Sequence, residues 1–117
     1  MTGPIVFDKQ SVPRLRRRRA TLLRQLPPQE EMLRGSLIER YNRCGKPNCK
    51  CAAGRGHGPK LYLSVSHAGA RPLMQYVPMD YHDDVARWLD NYRQCRRILD
   101  EICEINFEIL RRRERLE

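Results

Sequence analysis

Three cysteines stand within eight residues, at Cys44, Cys49 and Cys51, in the stretch RCGKPNCKCAAGRGHGP (43–59), and His57 completes the spacing C-x4-C-x-C-x5-H. No other stretch constrains the fold as much, because thiols crowded into one loop must be bridged, buried or bound to a metal. No apolar stretch resembling a signal peptide opens MTGPIVFDKQSVPRLRRRR, and nothing later approaches the roughly 18 consecutive apolar residues of a membrane span. A cytoplasmic protein with reduced thiols is therefore expected, which favours metal over disulfides. Five cysteines also leave a disulfide framework incomplete.

Structural zinc takes four nitrogen or sulfur ligands in a tetrahedron, and three cysteines with one histidine are an ordinary set. Cys44, Cys49, Cys51 and His57 are accordingly expected to hold Zn2+ in a closed, structural site, with Cys95, Cys103 and His67 as alternatives for the fourth ligand. Three buried or merely tolerated cysteines, and a redox pair of Cys49 with Cys51, are the competing readings. Gly45, Gly54, Gly56 and Gly58 allow tight turns around the sulfurs, and Pro47 and Pro59 stiffen them. Lys46 and Lys50 soften the charge of three thiolates. A chain of 117 residues builds only a marginal core, so a bound metal or a partner chain would help it fold.

The rest of the chain reads as α+β. The segment RLRRRRATLLRQL (14–26) has a partial helical stripe of Leu15, Leu22, Leu23 and Leu26, stopped by Pro27-Pro28. QEEMLR is expected to form one helical turn closed by Gly35. SLIERY (36–41), LYLSVS (61–66) and PLMQYV (72–77) alternate as strands, giving a small three-stranded antiparallel sheet that brackets the zinc-knuckle loop. From Asp80 onward no Gly or Pro interrupts the pattern, and a long C-terminal helix is expected. In heptads Val85, Tyr92, Leu99 and Asn106 take one core position and Trp88, Cys95, Ile102 and Ile109 the other. The expected organisation is a basic N-terminal arm or helix (1–34), a zinc-knuckle sheet (35–79) and a long amphipathic helix (80–117), with homodimerisation through that helix.

The run SLIERYNRCGKPNCKCAAGRGHGPKLYLS, followed by a strand pair and VARWLDNYRQCRRILDEI, resembles the uncharacterised prokaryotic domain-of-unknown-function family 6788. Its mark is RCGKPxCxC followed by HGP, standing here as Arg43–Cys51 and His57–Pro59. The resemblance covers roughly residues 34–110 and leaves the arginine segment outside. It implies a small protein without an assigned activity, often encoded near mobile-element genes. It also supports His57 as a ligand.

Net charge is +9, and it is uneven: residues 1–60 hold 14 Lys/Arg against 4 Asp/Glu, residues 61–117 hold 9 against 10. Such a basic half suits a polyanion. Arg14, Arg16, Arg17, Arg18, Arg19 and Arg24 are the densest candidates for phosphate, and six such contacts on duplex DNA give a salt slope of about −5. Arg43, Lys46, Lys50 and Arg55, with Arg40 and Lys60, form a second patch around the knuckle. Few aromatics lie near the arginines in sequence, which favours DNA over an RNA-type stacking platform. The C-terminal arginines are explained by helix electrostatics alone.

No phosphate loop, nucleophile elbow or carboxylate cluster occurs, so no enzymatic activity is expected. The leading expectation is a zinc-stabilised nucleic-acid-binding accessory module, DNA ahead of RNA, linked to mobile elements and docking on a larger protein such as a transposase. The alternative is a zinc-stabilised adaptor that binds protein through the long helix, its charge merely solubilising. No membrane partner is expected.

Overall fold

The computed structural model describes Phe7 and residues 10–43, 45–50, 54 and 56–117. Its elements run α1 (Val12–Arg24), β1 (Ser36–Asn42), β2 (His57–Val65), β3 (Leu73–Val77) and α2 (His82–Arg111). This is the expected α+β arrangement of an N-terminal helix, a three-stranded antiparallel sheet and a long C-terminal helix. Contacts divide the chain into two compact units, Met1–Glu31 with Asn91–Glu117, and Met32–Asp90. The basic helix falls in the first, the sheet in the second, and α2 contributes to both.

In the helical unit α1 starts two residues before the expected Arg14. Ser11 caps it, its hydroxyl accepting from the Arg14 N–H at 3.3 Å, and Pro13 sits in the first turn, where a missing N–H leaves no helix bond unmade. The helix stops at Arg24 before Pro27-Pro28. Leu15 and Leu22, seven residues apart and buried, face Ile98, Ile105 and Ile109 of α2, with Phe7 closing the cluster. Each such side chain removed from water contributes about 1.5–3 kcal/mol. Arg112, just past the end of α2, bonds the Phe7 and Gln10 carbonyls just before α1, while Arg18 of α1 meets Glu101 further back on α2, so the two helices run antiparallel.

Two local expectations are corrected. QEEMLR holds a hydrogen-bonded β-turn rather than a turn of helix: the Glu31 N–H donates to the Pro28 carbonyl and the Gln29 side chain donates to Pro27 O. A single helical turn has too few bonds to offset its nucleation. In α2 Ile102 and Ile109 of one heptad line are covered together with Ile98 and Ile105, whereas Leu99 of the other line is 44% exposed. The face that α1 covers therefore takes in one heptad line and leaves the other at its edge, where Asn106 accepts a hydrogen bond from Arg19 at 2.6 Å.

In the sheet unit the strand order is β1-β2-β3. Leu63 and Val77 meet Leu89 of the first turns of α2, with Leu33, Leu37, Leu61, Val65 and Val85 packed around them. The Leu33 N–H bonds the Trp88 carbonyl at 3.2 Å. β2 begins at His57, four residues earlier than its alternation suggests, and this extension shapes the site.

Candidate metal centre and nucleic-acid interface

His57 stands where β1 and β2 first pair. Its Cα partner is Asn42, and the register shifts between Arg40 and Asn42, a bulge that lets β2 begin beside the loop. The two glycines flanking His57 make this approach possible. Gly56 and Gly58 have φ of +103° and +141°; a Cβ at Gly58 would fall 2.6 Å from the Arg40 carbonyl oxygen, and one at Gly56 2.5 Å from the Asn42 backbone. Only a residue without a side chain fits either place.

Cys49 is placed by a turn of its own. Its N–H donates to the Lys46 carbonyl at 3.2 Å, closing the four residues Lys46-Pro47-Asn48-Cys49 with Pro47 at the second position, where a fixed φ favours the turn. The outcome is that Cys49 Sγ lies 3.2 Å from His57 Nε2. In a tetrahedral zinc site the thiolate–imidazole edge is about 3.6 Å, given the usual bond lengths. The observed separation is shorter than that edge and is that of a thiol–imidazole hydrogen bond.

Cys44 and Cys51, the other two expected ligands, lie outside the described residues, as does Arg55. Among the described residues no group of three or more metal-ligating side chains is gathered. Cys95 and Cys103, alternatives for the fourth ligand, are on α2, with Cys95 half-buried and Cys103 exposed. His67 lies in the β2–β3 turn, where the Ala70 N–H bonds its carbonyl. His82 donates from Nε2 to the Val77 carbonyl at 3.0 Å.

The cations divide by surroundings. On α1, Arg18 pairs with Glu101 at 2.7 Å, Arg16 donates to the Arg115 carbonyl, and Arg19 to Asn106 and the Leu116 carbonyl. Arg14, Arg17 and Arg24 are exposed. In the loop Arg43 donates to the Gly54 carbonyl at 3.0 Å and so braces the backbone, while Lys46 and Lys50, on either side of Cys49, are exposed. Near the C-terminus Arg111 and Arg112 both donate to Glu108 at 2.6 Å, and Arg112 also donates to the Phe7 and Gln10 carbonyls. Hydrogen bonds from Arg111 and then Arg112 hold the Glu108 carboxyl well below its ordinary value, at about 2.

One grouping was not anticipated from sequence. Tyr62 and Tyr76, fourteen residues apart, meet edge to face with ring centroids 5.6 Å apart, and the Arg40 guanidinium lies 5.7 Å from the Tyr62 ring centre. The available signal was strand alternation, which sets residues 38, 62 and 76 on one side once the sheet register is known.

No helix among the described residues is long and apolar enough to cross a membrane. The profile of one protein family, described as a domain of unknown function (DUF6788), matches residues 12–87, and the chain belongs to that family. The match opens at the first residue of α1, so the arginine helix falls inside the family's domain. No curated protein and no solved structure matches the chain.

Proposed function

We propose that this member of the DUF6788 family is a zinc-stabilised nucleic-acid-binding module. The observation that carries the reading is the meeting of Cys49 and His57 in a loop whose neighbouring Lys46 and Lys50 stand exposed. Cys44 and Cys51 complete the ligand set in this proposal. The metal would clamp the loop to the end of the sheet, and the lysines would then meet phosphate oxygens without a large ordering cost. Arg14, Arg17 and Arg24 supply further contacts from α1. Arg16, Arg18 and Arg19 serve the helix pair, so the arm contributes fewer phosphate contacts than its count of arginines suggests.

Two measurements test this together. Purified protein should contain zinc stoichiometric with the chain, and Cys49→Ser should lose it. Binding to a short duplex should fall steeply with salt, and the slope should shallow by about 2 when Lys46 and Lys50 are both replaced by Ala. Full folding in chelator without metal, or no binding at low salt, overturns the reading. Point variants are preferable to removal of residues 1–26, because Leu15 and Leu22 belong to a core.

A second reading rests on Leu99, Phe107 and Leu110, which are 44%, 65% and 50% exposed on α2. In it the chain is an adaptor, or a homodimer, that docks through the long helix. A monomer by light scattering at high concentration removes the homodimer.

A further inference from the structure

We infer that the outward face of the sheet is a stacking platform for the unpaired bases of a single-stranded nucleic acid, an inference that rests on the nucleic-acid reading above. The face is set by register. Ile38, Tyr62 and Tyr76 are directly opposed across the three strands, Arg40 opposes Lys60 in the next outward row, and Ser64 opposes Met74 in the row beyond. Successive strand side chains point to opposite sides, so all of these lie on the side away from Leu37, Leu61, Leu63 and Val77.

Three properties of this face point to one kind of ligand. It is open: Tyr76 is 45% exposed, with Ile38 and Met74 beside it at 38% and 37%. It is aromatic, with two rings on neighbouring strands and a guanidinium against one of them. Among the described residues it also carries no carboxylate from the strands. From Arg34 to Val77 the chain has eight Lys/Arg against Glu39 alone, and Glu39 opposes Leu61 on the other side of the sheet. A cross-strand tyrosine pair by itself is explained by sheet stability. That account leaves open why the pair stands among exposed apolar side chains, with a cationic row about 6.7 Å further along the strands and no carboxylate from the strands beside it.

Unpaired bases answer all three properties. Their π-faces stack on tyrosine and on arginine planes, and the phosphates joined to them need nearby cations. A duplex keeps its bases stacked internally and has no use for the rings. The Arg40–Lys60 row is also the outward row nearest the loop bearing Lys46 and Lys50, so a strand lying across the face can continue onto those lysines. DNA and RNA single strands share this chemistry.

The test is fluorescence anisotropy of the zinc-loaded full chain with a twelve-nucleotide single strand, as DNA and as RNA, beside the DNA duplex of the same sequence. The single strand, in at least one of its two forms, should bind more tightly than the duplex. Tyr76→Ala should weaken single-strand binding about ten-fold and leave duplex binding unchanged. Tyr76→Phe, which keeps the ring, should bind like the unmodified chain, and circular dichroism of each variant should match it. Tyr62→Phe, a second ring-keeping variant, should behave in the same way. Single-strand binding unaffected by Tyr76→Ala in a folded protein overturns the platform, as does a duplex bound more tightly than either single strand; both leave the phosphate-binding loop standing. Failure to bind any of the three probes at low salt overturns the platform together with the nucleic-acid reading. Self-association that Tyr76→Ala abolishes would assign the face to a second copy instead, and would also overturn it.

Discussion

The helical unit and the sheet unit carry nearly equal excess charge: 14 Lys/Arg against 9 Asp/Glu in the first, 9 against 5 in the second. They put it to different uses. In the helical unit guanidinium groups are held by Glu101, Glu108, Asn106 and by backbone carbonyls such as those of Gln10 and Leu116. Arginine suits this work, since its planar fork makes several bonds from one fixed geometry. In the sheet unit acids are scarce around the strands and loop, and the lysines of the loop have compact, mobile heads in water. Net charge is a property of composition, whereas availability of charge depends on whether acceptors lie within reach.

The comparison can be broken most forcefully through its cores. Ile105 is fully buried beneath α1, so Ile105→Ala should destabilise the helical unit by about 2–5 kcal/mol, read from urea unfolding. Zinc content should be untouched if the two regions differ as described. Gly58→Ala acts on the other region. Its strained backbone and the close Arg40 carbonyl predict a loss of about 1–3 kcal/mol accompanied by weaker zinc retention, measured by competition with a chromophoric chelator.

A charge exchange sharpens the contrast. Arg19→Ala removes bonds to Asn106 and the Leu116 carbonyl and should lower stability by roughly 1 kcal/mol, with little change in nucleic-acid affinity. Lys50→Ala should do the reverse, leaving the melting temperature in place and reducing the salt slope by about 1. If Arg19→Ala weakened binding as much as Lys50→Ala, the division of labour would fail.

The smallest expected effect is with pH. A carboxylate whose folded pKa is depressed contributes stability that is complete above its unfolded value and is lost as pH falls toward the folded one. For Glu108 the window runs from 4.5 down to about 2. Acid unfolding should therefore include a component in that range that Glu108→Gln removes. An identical acid profile for the variant would show that the two arginines hold nothing through this group.

Much of the architecture was legible in the chain. Alternation at LYLSVS and PLMQYV marks two strands of the sheet because one face is buried and the period is two. The uninterrupted run after Asp80 marks α2. Pro47 between Lys46 and Cys49 was legible as a turn. The line of burial on α2 was less so. Ile98 and Leu99 are adjacent and equally apolar, and only the position of Leu15 and Leu22 on α1 decides which is covered. The first residues of β2 were hidden for a similar reason: His-Gly-Pro-Lys has no strand propensity, and pairing with β1 across a bulge recruits it.

The sequence by itself determined the thiol-rich loop, the basic composition, the order of helices and strands, and membership of the DUF6788 family. These are local or compositional properties, written in spacing and residue type. Tertiary structure alone decided which arginines are held by the protein, that Cys49 and His57 come within contact distance, and that Tyr62, Tyr76 and Arg40 share one face. Each depends on residues distant in sequence meeting through strand register or helix packing, and no local pattern encodes the partner across the gap.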